Sequence, residues 1–213
     1  ASFDLPLLRT RLRRAGLSAV ALERPHLDLL PPARRMWRGS GSDCRLVTLE
    51  RTQLGVRRVH DIEGHEIPAV FWAWLRRPDD LEVQAVMRRV ADHNLADLVT
   101  LPALAAALYA RITAPPDLDA AVRAAEHHLA AGRRGDALAL LERWQSAASR
   151  PGAPPAQRRR ALLLTAELLR REPGSRGRAA QIWAEVCRIS PGDPAAHEAL
   201  AKHLEHHTGD LAG

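Results

Sequence analysis

"DHNLADLVTL", residues 92–101, is the stretch on which the reading of this chain turns. Counting 100° per residue, Val83, Val86, Met87, Val90, Leu101, Leu104 and Leu108 form one apolar stripe, which predicts a long helix from about Asp79. Asn94 and Asp97 fall within that stripe, and His93 lies on its edge, one turn before Asp97. A carboxylate aimed at its own core is costly unless a cation, a hydrogen-bond network or a metal compensates it. On the residues alone two accounts of Asp97 stand: a structural Asp bonded to Asn94 or paired with an arginine, or a metal ligand. Pro102 has no N–H to offer the carbonyl of Leu98, so a kink or restart is expected there.

Upstream, "DLPLLRTRLRRAGL" reads as an amphipathic helix with Leu7, Leu8 and Leu12 inward, stopping near Gly16. "HLDLL", 26–30, is short and apolar and is expected to be a buried strand. "PPARRMWRG" has the punctuation of a short helix. "SDCRLVTLERTQLGV" reads as another helix, capped by Ser42 or Asp43 and ended at Gly55. "AVFWAWLRR" follows the loop "RRVHDIEGHEIP".

"TAPPDL", 113–118, is the best linker, and beyond it the chain changes to helix pairs. In the second pair Ala179, Trp183 and Pro191 have the small–large–Pro spacing of the second helix of a tetratricopeptide repeat, and Ala137 and Leu141 occupy matching places in the first. The repeats are degenerate, and a plain stack of helical hairpins is the alternative. Two regions are therefore expected: 1–113, and 114–213 as all-α, TPR-like repeats.

Composition narrows the function. A chain of 213 residues, 46% apolar and 4% aromatic, favours packed helices. No unbroken run of 18 apolar residues occurs, so no membrane span is expected, and "ASFDLPLLRT" lacks a signal peptide's apolar core. Cys44 and Cys187 form no framework, which points to a reducing, cytoplasmic setting. The formal charge is +6, and every basic residue but Lys202 is arginine. Arginine suits phosphate recognition. A GC-rich genome gives the same excess, and the scattered doublets favour that cause.

Five blocks, "SFDLPLLRTR", "HLDLLPPARRMW", "CRLVTLERTQLGV", "DIEGHEIPAVFWAWL" and "DHNLADLVTLPALAAAL", stand in an order that resembles the YprB-like ribonuclease H-like domain, a branch of the DEDD 3′→5′ exonuclease superfamily. The resemblance covers roughly residues 2–112. It implies an α/β ribonuclease H-like domain, here mostly helical and lacking its N-terminal strands, so that the chain reads as an internal fragment. It also implies a two-metal site for Mg²⁺ or Mn²⁺, built from four carboxylates. Asp4 matches the second ligand motif and Asp97 the third, so the two are expected within about 8 Å of each other. His93 stands where a residue orients the attacking water. The first motif, Asp-x-Glu, would precede Ala1.

Other groups have bland readings. His127 and His128 read as surface residues, and His197, His203 and His206 as a solvated face, since no second His completes HExxH. Arg158–Arg160 reads as a solvated helix start. Asp28 reads as a hydrogen-bonding residue at a strand end. Trp37, Trp72, Trp74, Trp144 and Trp183 read as packing. The expected function is metal-dependent 3′→5′ exonuclease action on a nucleic-acid 3′ end, with the repeats binding protein or nucleic acid. The alternatives are a non-catalytic adaptor on a nuclease fold, and a pure helical-repeat scaffold with Asp4 and Asp97 far apart.

Overall fold

The computed structural model describes residues 4–37, 43–147 and 153–208. Helix accounts for 74% of the chain, and no strand occurs among the described residues. The elements are α1 (Asp4–Arg14), a 3₁₀ turn (Val20–Glu23), α2 (Leu30–Trp37), α3 (Leu46–Leu49) running into a π turn (Glu50–Leu54), α4 (Ile67–Arg76) and α5 (Leu81–Thr113). After them come α6 (Leu118–Ala130), α7 (Arg134–Ala147), α8 (Pro155–Leu169), α9 (Arg176–Ile189) and α10 (Pro194–His203), which ends in a second π turn (Leu204–Thr208).

Local chemistry sets the boundaries. Asp80 caps α5, its carboxylate accepting from the N–H groups of Glu82 and Val83. The expected stops at Gly16 and Gly55 hold, with φ of 68° and 69°, conformations open to glycine without strain. Of the expected caps of α3, Ser42 lies outside the described residues; Asp43 accepts from the Arg45 N–H at 3.2 Å, just ahead of the helix.

Residues 26–30 are not a strand. Leu27 is exposed, and the Asp28 carboxylate accepts from the Leu30 N–H at 3.0 Å, turning the chain into α2. A short apolar run has no β identity without a neighbour to pair with. Leu7 and Leu8 are exposed rather than inward. Pro102 neither ends nor restarts α5, which is one helix of 33 residues. Helix packing on both sides of the proline absorbs the lost bond.

Helix α5 packs on α2, α4, α6 and the first π turn. Of the expected stripe, Val83, Val90, Leu104 and Leu108 are buried, Val86 and Met87 are half-buried, and Leu101 and Asn94 are exposed; Thr100, outside the stripe, is buried as well. The flank beside the stripe is apolar too: Leu95, Leu98, Val99 and Tyr109 are exposed, Leu98 at 68%. An inward stripe plus an outward apolar face explains a helix that is, by length and composition, long and apolar enough to cross a membrane, contrary to the expectation from unbroken runs.

Met36 and Trp37 of α2, Leu49, Leu104 and Leu108 share one core with Leu118, Val122, Leu140 and Leu141. The packing therefore crosses "TAPPDL", where Pro115 is buried. Helices α6 and α7, then α8 and α9, pack as successive pairs with α10 against α9. Ala137, Leu141, Ala179 and Val186 are fully buried where the helices approach. Trp37 and Trp183 are core residues, but Trp72 is 57% exposed. His127 and His128 are half-buried rather than surface residues, because α6 is covered by α2, α5, α7 and α8. Arg158, Arg159 and Arg160 bridge to Glu185, Asp193, and Asp119 with Glu126, so this run ties helices together.

Candidate functional site

Asp97 meets an arginine. Arg58, from the segment after Gly55, donates from Nη2 to Asp97 Oδ1 at 2.6 Å. The same guanidinium grips Glu50 with two bonds, Nε to Oε2 at 2.7 Å and Nη2 to Oε1 at 2.5 Å. Its Nη1 reaches Asp61 Oδ2 at 3.4 Å. Arg58 is 7% exposed and Glu50 not at all, so three carboxylates surround one nearly buried cation.

Helical spacing explains the assembly. Glu50 follows Leu46 by four residues and so faces inward with it, towards α5. There Thr100 donates to Glu50 Oε1 at 2.5 Å. His93 and Asp97, one turn apart on α5, face the segment carrying Arg58 and Asp61. Arg89 holds that segment from the side, donating to the carbonyls of His60 and Asp61 at 3.2 and 2.9 Å. His60 has φ of 57°, a left-handed conformation uncommon for a residue with a side chain.

His93 Nδ1 lies 2.8 Å from Asp61 Oδ1 and 3.3 Å from Arg58 Nη1. The shorter contact, to an obligate acceptor, favours a proton on Nδ1. Nε2 lies 3.7 Å from Asp97 Oδ2.

Burial alone would raise the pKa values of Glu50 and Asp61. Hydrogen bonds from Arg58 and Thr100 overcome it for Glu50, and those from His93 and the Ile62 N–H overcome it for Asp61. Both carboxyls are held below their ordinary range. Arg58 is raised in turn, chiefly by its bonds to Glu50, against the opposing effect of burial.

The network opens on a cavity of about 870 Å³ lined by Arg45, Arg51, Arg57, Arg58, His93 and Asp97, among others. Asp97 is 36% exposed on that side. The structure thus brings His93 and Asp97 together, as expected of them. Asp4 opens α1, but its side chain is outside the described residues.

A cavity that sets a carboxylate and an imidazole against arginines suits a phosphate-bearing ligand. The comparisons with known proteins supply the family: the chain belongs to the RNase_H superfamily, whose model RNase_H_2 matches residues 1–109. Over 107 residues the chain is 33% identical to the uncharacterized protein YprB of Bacillus subtilis (strain 168), a match covering 48% of this chain and 24% of that protein. The chain thus spans about a quarter of that curated relative's length. No solved structure matches it.

RNase H-like nucleases typically use divalent metals. Oxygen donors of the right kind are present in Asp97 and Asp61, but Arg58 fills the space between Glu50, Asp61 and Asp97. Among the described residues no three His, Cys, Asp or Glu side chains are grouped to hold an ion. These residues therefore do not by themselves fit a complete metal centre.

Proposed function

We propose that this chain is part of a 3′→5′ exonuclease of the DEDD type, dependent on Mg²⁺ or Mn²⁺ and acting on a nucleic-acid 3′ end, with an α/β ribonuclease H-like catalytic domain. The observation that carries the reading is the pairing of His93 and Asp97 on one face of α5 at the wall of an arginine-lined cavity. By the motif resemblance, Asp97 and Asp4 are two of four metal carboxylates. His93, oriented by Asp61, is the group that takes a proton from the attacking water. The paired helices α6–α9, read as TPR-like, offer a protein- or nucleic-acid-binding appendage, and the setting proposed is cytoplasmic.

The test is digestion of a 3′-labelled oligonucleotide by the full-length gene product with Mg²⁺ or Mn²⁺. Asp97→Asn is expected to abolish it with the fold intact. His93→Ala is expected to slow it by roughly 10²- to 10⁴-fold. Wild-type digestion by the Asp97→Asn protein removes Asp97 from the site.

One observation favours a second reading, a nuclease fold serving as a non-catalytic adaptor: Arg58 already satisfies Asp97, and no ion-holding trio exists among the described residues. That reading predicts no metal-dependent digestion by the wild-type protein and unchanged partner binding in Asp97→Asn.

A further inference from the structure

The cavity wall in front of Asp97 has chemistry that the catalytic reading leaves unused. Arg58 is consumed by Glu50 and Asp97, but Arg51 and Arg57 are exposed at the same cavity. Among the described residues no carboxylate lies within ion-pair distance of either. Arg45 lines the wall too and has only the exposed Asp43, 3.3 Å away, as a weakly held partner.

The wall is also stiff. Arg57 is next to the anchored Arg58, and the segment is pinned to α5 by Arg89 and by the His93–Asp61 bond. The left-handed His60 within this segment is a strained position of the kind found where a loop must hold a set shape. Finally, no Phe, Tyr or Trp lines the cavity, and its charged groups are mostly arginines.

We infer that Arg51 and Arg57 form a track for the phosphodiester backbone of a nucleic-acid strand, carrying its phosphates past Asp97 without reading its bases. The inference rests on the nuclease-type reading of the site and names the residues that would hold the strand there. Contacts made only to phosphate position a strand without conveying its sequence. Each contact also releases counterions, so affinity must fall steeply with salt.

The experiment measures binding of fluorescein-labelled oligothymidylate to the full-length gene product by anisotropy, over a range of salt, with EDTA present so that no metal-dependent cutting occurs. Arg51→Ala and Arg57→Ala are each expected to weaken binding and to flatten the plot of log affinity against log salt by about 0.7, the contribution of one single-strand phosphate contact. Arg57→Lys should keep the wild-type slope, because it keeps the charge. Arg188→Ala, on the remote helix α9, should bind as wild type does. A mixed-sequence oligonucleotide of the same length should bind with the same slope. Failure of the wild-type protein to bind, or wild-type slopes in both alanine variants whose circular dichroism is unchanged, overturns the track. Asp97→Asn should bind at least as tightly as wild type, having lost a negative charge. Absence of digestion alongside intact, slope-sensitive binding therefore counts against the exonuclease and not against the track.

Discussion

Between Arg45 and Thr100 one cluster of charged side chains, Glu50, Asp61 and Asp97, gathers around a nearly buried Arg58, whereas from Leu118 onward most ion pairs bridge helices at the surface. In the first region Glu50 is fully buried and its partner Arg58 nearly so. In the second, Arg158–Glu185, Arg160–Glu126 and Arg178–Glu142 are all substantially exposed, and the interior is mostly alanine, leucine and valine, with Trp183, Thr165 and the Asp193 partner of Arg159 also buried. A surface pair contributes about 0.2–1 kcal/mol, because solvent already stabilises its members. A buried cluster is different: its members depend on one another, since each would be badly placed alone. The first region is thus built to hold charges in place and the second to hold helices together.

Arg58→Met gives the sharpest break. It leaves Glu50 buried with no cation, and a loss of about 3–5 kcal/mol is expected in chemical denaturation. Adding Glu50→Leu should recover much of that loss, because two apolar groups replace the pair. A loss no larger than that of a surface pair would erase the contrast. Next comes Leu141→Ala in α7, at a fully buried site, with an expected cost of about 2–5 kcal/mol and no rescue by changes in charge.

Acid should separate the regions by pH. His127 and His128 have pKa values lowered from 6.5, first by burial and then by nearby Arg35 and Arg133 respectively. The unfolded chain therefore binds more protons than the folded one as pH falls below about 6.5, and stability declines from there. Glu50 and Asp61, lowered from 4.5 and 3.8, keep their full contribution above those values and lose it only as pH drops further, through their folded pKa values. Hydrogen exchange should show α6 loosening below pH 6.5 while α5 near Asp97 stays protected, and His127→Gln with His128→Gln should flatten the first phase. The smallest effect is expected for Arg170→Ala. Its pair with Glu167 is nearly half exposed, and at most about 1 kcal/mol should be lost.

The long helix, the stops at Gly16 and Gly55, and the nearness of His93 to Asp97 were legible because each depends on spacing within a few residues. The cation that answers Asp97 was not, because Arg58 lies 39 residues away and one arginine looks like another in a chain so rich in them. A signal did exist in "LVTLE", where Glu50 falls on the inward face set by Leu46, the same anomaly that singled out Asp97. Residues 26–30 misled because a short apolar run carries no information about its partner. The outward face of α5 was hidden for a related reason: periodicity finds the stripe that is buried and is silent about a second apolar stripe beside it.

Helix α5 places Asp97 and Leu104 on the same side of one unbroken rod, seven residues and so about 10 Å apart along its axis. The carboxylate at the cavity and the leucines that pack on α6 therefore stand on a single beam. A tilt imposed at Leu104 or Leu108 is carried towards Asp97 along the same helix, through Pro102, where one backbone hydrogen bond is missing. Regions that differ in chemistry are in mechanical terms one part, and the tolerance of the site for displacement is set in the core of the neighbouring helices.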